Sequence, residues 1–127
     1  MDQIITRNAP APVGPYSQAV GYGDLVFLSG QISLDPETGK RCGDSIEEQA
    51  EQVLRNLEAV LCAAGASWTT VLRVTVYMTE LEEFARFNAV YERVLQGAKP
   101  ARSTVQVSAL PLEAKLEIDA IASREAR

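Results

Sequence analysis

The chain has 127 residues, of which 46% are hydrophobic and 23% are charged, a composition typical of a globular protein. This length fits one domain, which we expect to span 1–127. The net charge is −5, with 17 acidic against 12 basic residues, which disfavours a nucleic-acid partner. The sequence contains no histidine, which excludes Ser-His-Asp and Cys-His catalytic systems and histidine-based zinc sites.

Cysteine usage and hydropathy indicate the compartment. Cys42 and Cys62 are the only cysteines, and their spacing is not that of a CxxC motif. The first residues, "MDQIITRNAP", lack the basic and apolar regions of a signal peptide, and no apolar stretch approaches the ~20 residues that span a bilayer. We therefore expect a cytoplasmic protein with free thiols, no bound metal and no membrane contact.

The first part of the chain predicts strands. A strand is expected around Ile4, and "AVGYGDLVFLSGQISLD" predicts two strands joined by a turn at Gly23-Asp24. The segment "DPETGK" has the composition of a turn, with Gly39 at a position that favours a positive φ.

A helix is predicted from Asp44 to Ala64, where apolar residues recur at the spacing of one helical face. Ser45 and Glu48 form a capping-box pattern at its start, and Gly65 is suited to the left-handed conformation that follows a helix end.

The next segment, "VLRVTVYM", predicts a strand from Val71 to Met78. Its alternation places one set of residues on an apolar face and the other set on a more polar face. The apolar set is Leu72, Val74, Val76 and Met78, and the opposite set is Arg73, Thr75 and Tyr77.

A second helix is predicted to begin at Thr79, because Glu82 completes another capping box, and to end before Gly97 and Pro100. The segments "STVQVSAL" and "AKLEIDAIA", on either side of Pro111, predict the last two strands.

The order β-β-β-α-β-α-β-β predicts an α+β domain in which two helices cover one face of a mixed sheet. The other face is too mixed for a monomer core, yet it offers Val105, Val107 and Ile121 or their neighbours to solvent. We therefore expect identical chains to associate through this face.

Three charged residues near the C-terminus are candidates for chemistry. Arg102 follows a Pro-Ala pair, and its guanidinium can hold a carboxylate with two parallel hydrogen bonds or form a structural ion pair with Glu117 or Asp119. Glu117 and Asp119 lie on one face of the last strand, which suits either a general acid/base pair or two solvent-facing carboxylates. Spacing alone leaves these alternatives open.

Other polar positions have ordinary structural interpretations on local grounds. Asn56 and Asn88 interrupt apolar helix surfaces and are expected to be solvated, and Tyr16 in "GPYSQAV" is typical of a packing residue. The glycines of "GYGDL" are not followed by a helix, so they predict a hairpin and not a phosphate-binding loop.

Five ordered segments together resemble the Rid family, the YjgF-type imine deaminases. They are "NAPAPVGPYSQAV", "VFLSGQISLDPETG", "EEQAEQVLRNLEAVLCAAG", "VTVYMTELEEFARFNAVYERV" and "PARSTVQVSALPLEAKLEIDAIA". The resemblance implies a chorismate-mutase-like α+β fold and a homotrimer around a central, sheet-lined core. It also implies ligand sites in clefts between subunits.

The resemblance further implies an activity, the hydrolysis of 2-iminobutanoate and 2-iminopropanoate to 2-oxo acids and ammonia, which protects PLP enzymes from reactive imines and enamines. No cofactor is implied. Position by position, Arg102 resembles the carboxylate-binding arginine and Glu117 the residue that activates water. The positions that resemble the lining of the family site are Tyr16, Gly30, Asn88 and Thr104, and Thr104 stands where well-known deaminases often have cysteine. Asp119 is expected to be structural.

Two other functions remain open at this point. One is a non-catalytic trimer that binds a small molecule and regulates amino-acid metabolism. The other is an endoribonuclease or translation inhibitor, an activity of some relatives, which the acidic charge makes the weaker alternative.

Overall fold

The computed structural model describes residues 1–124, so the last three residues of the expected 1–127 domain lie outside the described part. The elements follow the predicted order: β1 (Asp2–Ile4), β2 (Ala19–Tyr22), β3 (Leu25–Gln31), α1 (Ile46–Ala63), β4 (Val71–Met78), α2 (Phe84–Leu95), β5 (Ala101–Gln106) and β6 (Leu116–Ser123). The α+β class is confirmed. No helix among these residues combines the length and the apolar character needed to cross a membrane.

The strands form one mixed sheet in the order β1-β2-β3-β6-β4-β5. Neighbouring strands are antiparallel except for β4 and β5, which run parallel. Parallel neighbours need a crossover connection, and α2 provides it. This topology places Arg102 on the edge strand β5 and Glu117 on the interior strand β6.

Both helices pack on the same face of the sheet, as predicted. The buried residues beneath them include Val74, Val76, Leu116 and Ile118, which alternate with more exposed neighbours along β4 and β6. The capping box of α1 is present, since the Ser45 side chain accepts a hydrogen bond from the Glu48 amide and the Glu48 side chain accepts one from the Ser45 amide. The helix therefore begins directly after the predicted Ser45 cap, two residues later than the predicted Asp44, and ends at Ala63, one residue before the predicted Ala64.

The opposite face, which we call the open face, mixes polar and apolar residues. Phe27 is 44% exposed and Val105 is 42% exposed, and both lie on this face with Tyr77, Glu117 and Asp119. Large apolar residues with this much of their surface exposed to water favour association with another molecule.

The predicted start of the second helix is wrong. The Thr79 amide donates to the Lys115 carbonyl at 3.1 Å, which extends the sheet contacts past the end of β4. A short 3-10 turn, Leu81–Glu83, follows, and the α-helix begins only at Phe84 without a side-chain cap. The expected capping box of Thr79 and Glu82 is absent because Thr79 is held by the sheet.

The position predicted for Leu72 is also wrong. The register of β4 against β6 shifts between Val71 and Arg73, so the alternation of faces is interrupted there. As a result Val71 is buried and Leu72 is 49% exposed. The last two strands are also shorter than predicted, because β5 ends at Gln106 and β6 begins at Leu116.

Asn56, expected to be solvated, is only 1% exposed. Its amide donates to the Leu34 carbonyl at 3.0 Å and to the Ile32 carbonyl at 3.3 Å. Asn56 therefore ties α1 to the loop that follows β3. Cys42 and Cys62 are both free thiols.

Candidate functional site: two clefts on opposite faces

The first cleft, which we call the Glu117 cleft, opens beside β3 and β6. Its lining residues come from the N-terminal segment, the end of β3 and the loop before β6. They are Pro10, Ala11, Val13, Tyr16, Gln18, Ser29, Gly30, Gln31, Ile32, Leu34, Pro111, Leu112 and Glu117. The cleft thus brings together three of the predicted site residues, Tyr16, Gly30 and Glu117.

A bulge in β3 places Gly30 against Glu117. Leu28 pairs with Ala120 and Gln31 pairs with Ile118, so Ser29 and Gly30 together face the single residue Asp119. A Cβ atom on residue 30 would collide with Glu117 Oε2 and would lie 2.9 Å from Glu117 Cδ. Glycine is therefore required at this position for the carboxylate to occupy its present place.

The surroundings of Glu117 favour its neutral form. Burial raises the pKa of the Glu117 carboxyl, and the nearby charge of Asp119 raises it further. Asp119 accepts a hydrogen bond of 3.0 Å from the Tyr77 hydroxyl, which fixes it beside Glu117 on the open face. A carboxyl with a raised pKa is suited to move a proton near neutral pH.

The N-terminal wall of the cleft is held by Gln18, which is buried. Its amide nitrogen donates to the carbonyls of Thr6, Ala9 and Pro10, and its oxygen accepts from the Thr6 amide at 2.8 Å. Tyr16 stands at the rim, about half exposed, and its hydroxyl accepts a hydrogen bond from the Val13 amide.

The second cleft, which we call the Arg102 cleft, lies between α2 and the start of β5. It is lined by Asn88, Tyr91, Glu92, Gly97, Ala98, Lys99, Pro100 and Arg102. The Arg102 guanidinium carbon lies 4.8 Å from the centre of the Tyr91 ring, and two further rings, Phe84 and Phe87, lie within 5.8 Å. These rings support the cation by cation–π contact. Among residues 1–124 Arg102 forms no ion pair, so its charge is available to an anion.

Three buried polar atoms near Arg102 have no hydrogen-bond partner among the described residues. They are Asn88 Oδ1, Tyr91 OH and Thr104 Oγ1. Thr104 lies two residues after Arg102 and therefore on the same face of β5. Buried polar atoms are nearly always satisfied, so these three indicate a ligand or a further protein group in this region.

The two clefts lie on opposite faces of the sheet. Arg102 pairs with Val74, whose side chain faces the helices, whereas Glu117 pairs with Tyr77 on the open face. Arg102 and Glu117 lie two strands apart and three residues apart along the strand direction, so about 14 Å separates their Cα atoms. The ion pair between Arg102 and Glu117 or Asp119 that the sequence left open is therefore not formed within one chain.

The fold thus divides the predicted site residues into two groups. Tyr16, Gly30 and Glu117 share one cleft, whereas Asn88 and Arg102 share the other, with Thr104 on the Arg102 face. Sequence reasoning missed the remaining polar groups. Tyr91 lies three residues after Asn88 on the same helix face, and Lys99 directly precedes Pro100, so both could have been found from their spacing to predicted residues.

Comparison with known proteins shows which family the chain belongs to. Residues 6–124 match the family model described as Endoribonuclease L-PSP. The chain is 48% identical to Reactive Intermediate Deaminase A, chloroplastic, of Arabidopsis thaliana over 94% of this chain and 64% of that protein. It is 42% identical to the 2-iminobutanoate/2-iminopropanoate deaminase of Mus musculus over 94% of this chain and 88% of that one.

A solved structure gives the same result for the fold. The crystal structure of E. coli TdcF with bound serine superimposes with a TM-score of 0.93 at 42% identity, covering 98% of this chain and 100% of that one. Both the sequence and the architecture are therefore shared along nearly the whole length. The chain belongs to the family whose model matches residues 6–124, the Rid or YjgF-type family.

Proposed function

We propose that the protein hydrolyses reactive 2-imino acids, with 2-iminobutanoate and 2-iminopropanoate as the reference substrates, and releases 2-oxo acids and ammonia. One observation carries the proposal: the carboxylate and the guanidinium that such a reaction needs lie in separate clefts of one chain. Neither cleft holds both groups. A complete site therefore requires two chains.

The proposed assembly is a ring of three identical chains in which the open face of each chain packs against the edge of the next chain that carries β5. In it the Glu117 cleft of one chain faces the Arg102 cleft of its neighbour. The exposed Phe27 and Val105 side chains support burial of this face. The buried oxygens of Asn88 and Thr104 have no hydrogen-bond partner among the described residues, which supports the presence of a ligand or a neighbouring chain at the Arg102 cleft.

Within such a site each residue has a distinct role. Arg102 holds the substrate carboxylate with two charge-assisted hydrogen bonds, which fixes the orientation of the imine carbon. Asn88 and Thr104 offer further polar contacts, and Tyr16 borders the site. The aromatic rings beneath Arg102 keep its guanidinium in place before substrate arrives.

Glu117 moves the proton. As water attacks the imine carbon, its oxygen forms a new bond to that carbon, and the Glu117 carboxylate accepts a proton from the water. The C=N double bond becomes a single bond as the resulting carboxyl gives this proton to the nitrogen, which yields a carbinolamine. Glu117 then takes the hydroxyl proton of the carbinolamine and passes it to the nitrogen, so that the C–N bond breaks and ammonia leaves as the C=O bond forms. Each turnover consumes one water and returns Glu117 to its starting state.

If the protein removes a reactive imine faster than water alone does, it protects the PLP enzymes that the imine attacks. The same two-cleft arrangement also fits a trimer that binds a carboxylate without turnover. The two functions differ in one measurement, because only the enzyme lowers the amount of free imine at catalytic concentration.

The test generates 2-iminobutanoate from threonine with a threonine dehydratase and traps it with semicarbazide. We expect the protein at a hundredth of the imine concentration to suppress semicarbazone formation, and Glu117→Gln to remove most of this effect. Suppression only at stoichiometric concentration would support the binding trimer. No suppression at any concentration would reject the proposed activity.

A further inference from the structure

The N-terminal end of β6, which carries Glu117, is paired with a neighbouring strand on one side only. Pairing with β3 ends where Gln31 lies opposite Ile118, so no residue of β3 lies opposite Leu116 or Glu117. Pairing with β4 continues along both of these residues. The position of Glu117 therefore depends on β4 and on the contacts that hold the residues just before β6.

The loop before β6 has a backbone conformation that needs support. Leu112 and Glu113 have φ values of +55° and +56°, in the left-handed region that residues other than glycine adopt rarely. Such a conformation persists only where the surrounding structure holds it. Pro111 and Leu112 line the Glu117 cleft. The contacts that hold this loop therefore also hold part of the wall of the cleft.

Lys115, which lies between this loop and β6, is held through three of its atoms. Its amide donates a hydrogen bond of 2.8 Å to the side-chain oxygen of Gln49. Its carbonyl accepts a hydrogen bond from the Thr79 amide. Its ammonium nitrogen lies 3.3 Å from a carboxylate oxygen of Glu83. Of these three partners, Gln49 is the one that ties the start of β6 to α1.

Gln49 is a polar residue at a core position. It is 1% exposed and lies on the face of α1 that also carries Ile46 and Val53, which are fully buried. Both ends of its amide are used, because Nε2 donates to the Gly43 carbonyl at 3.1 Å while Oε1 accepts from Lys115. Hydrogen bonds are directional, so a buried amide bonded at both ends fixes the backbone it touches more closely than apolar packing does.

We propose that Gln49 is a positioning residue for Glu117. By holding the Lys115 amide it fixes the start of β6, so that the Glu117 carboxylate stays against Gly30. This inference rests on the proposed function. Gln49 lines neither the Glu117 cleft nor the Arg102 cleft. Its loss should therefore slow the chemical step and leave the binding of the substrate carboxylate nearly unchanged.

The experiment measures kcat and KM for hydrolysis of 2-iminobutanoate, together with the melting temperature, in the full chain and its variants. Gln49→Met removes both hydrogen bonds of the side chain and nearly conserves its volume. Val53→Ala is the matched control, because it destabilises α1 one turn further along and removes no hydrogen bond. Both variants are assayed well below their melting temperatures.

We expect Gln49→Met to lower kcat roughly 10- to 100-fold, because a small displacement of a catalytic group has an effect of this size. Its KM should stay within about twofold of the wild-type value, and Val53→Ala should melt earlier but keep the wild-type kcat. If Gln49→Met does not fold, Gln49→Asn, which is polar but too short to reach Lys115, takes its place with the same expected results.

An unchanged kcat in the Gln49 variant, or an equal loss of kcat in Val53→Ala, would overturn the positioning role and leave the deaminase intact. A rise in KM with kcat unchanged would also overturn it, since the variant would then have lost substrate binding. Inactivity of the wild-type protein on 2-iminobutanoate would overturn the deaminase, and the role of Gln49 with it.

Discussion

Arg102 carries its charge against three aromatic rings and has no acidic partner among the described residues. The contacts with the rings stabilise the chain by roughly 0.5–2 kcal/mol, and the charge of Arg102 is still available to bind an anion. We propose that Arg102 binds the substrate carboxylate, and mutation can distinguish this role from a structural one.

We predict that Arg102→Ala abolishes imine hydrolysis and lowers the melting temperature only slightly, through loss of the ring contacts, which contribute roughly 0.5–2 kcal/mol. Loss of one partner of a desolvated charge pair costs ~2–5 kcal/mol, equivalent to roughly 30- to several-thousand-fold in kcat/KM. Arg102→Lys should recover little, because an ammonium group lacks the planar fork. Arg55→Ala, which removes an exposed arginine on α1, is the control. An active Arg102→Ala protein that melts much earlier would assign Arg102 to structure.

We also predict a pH effect from Asp119. The charge of Asp119 helps to raise the pKa of Glu117 above its ordinary value of 4.5, so Asp119→Asn should lower that pKa. A base must be ionised to accept a proton, and activity therefore falls as the pH drops through the Glu117 pKa. The acid limb of the kcat/KM profile should shift to lower pH in Asp119→Asn. An unchanged limb, with Asp24→Asn as the control, would show that Glu117 does not set it.

The same pKa has a consequence for stability. A carboxyl whose folded pKa is raised stabilises the fold below its unfolded pKa, and this contribution is lost as the pH rises through the raised value. The ionised Glu117 therefore weakens the folded state near neutral pH, which is a cost often found at functional sites.

At the scale of elements, two features shape the Glu117 cleft. One is the bulge in β3, and the other is the N-terminal segment that the Gln18 side chain holds by hydrogen bonds. The sequence predicted α1 and β4 closely because periodicity and capping are local signals. It did not predict the bulge, since no local pattern marks Ser29 and Gly30 as two residues facing one. It also misplaced the start of α2, where a contact between Thr79 and Lys115, 36 residues apart, prevailed over a local capping pattern.

We predict that Gly30→Ala removes activity through the bulge. The new Cβ would collide with the Glu117 carboxylate and displace it from its place. The expected result is a loss of kcat/KM comparable to that of Glu117→Gln, about 10²- to 10⁴-fold. Gly14→Ala is a matched control, because a Cβ there would meet only the Tyr16 ring at an ordinary 3.5 Å. Full activity in Gly30→Ala would show that the present position of Glu117 is not needed.

Gln18 allows a second test of this element. In Gln18→Glu the donor nitrogen, which lies within 3.3 Å of three carbonyl oxygens, becomes an acceptor. The unsatisfied carbonyls should cost ~1–3 kcal/mol at neutral pH. Protonation of the new carboxyl restores one donor, so stability should be partly regained as the pH falls. Thermal melting at pH 5 and pH 8, with the exposed Gln3→Glu as the control, measures this. Equal melting temperatures for Gln18→Glu and the wild type would show that the segment is held by other contacts.

At the scale of the whole molecule, the division of the site between two faces is the central feature. The sequence resemblance predicted that Arg102 and Glu117 belong to one site. In a single chain, however, their Cα atoms lie about 14 Å apart and their side chains lie on opposite faces of the sheet. No local pattern reveals this, because it follows from strand order and register. We propose that a cyclic assembly, in which one surface of each chain meets a different surface of the next, brings the two groups together.

The most direct measurement of this account is complementation between two inactive variants. Arg102→Ala and Glu117→Gln are coexpressed with different affinity tags, and assemblies that carry both tags are purified, with light scattering to verify three times the 13.8 kDa chain mass. In a mixed ring of three, one interface in three joins an intact Glu117 cleft to an intact Arg102 cleft. The account predicts that about one-third of wild-type activity returns. Mixed assemblies no more active than either variant alone would contradict it.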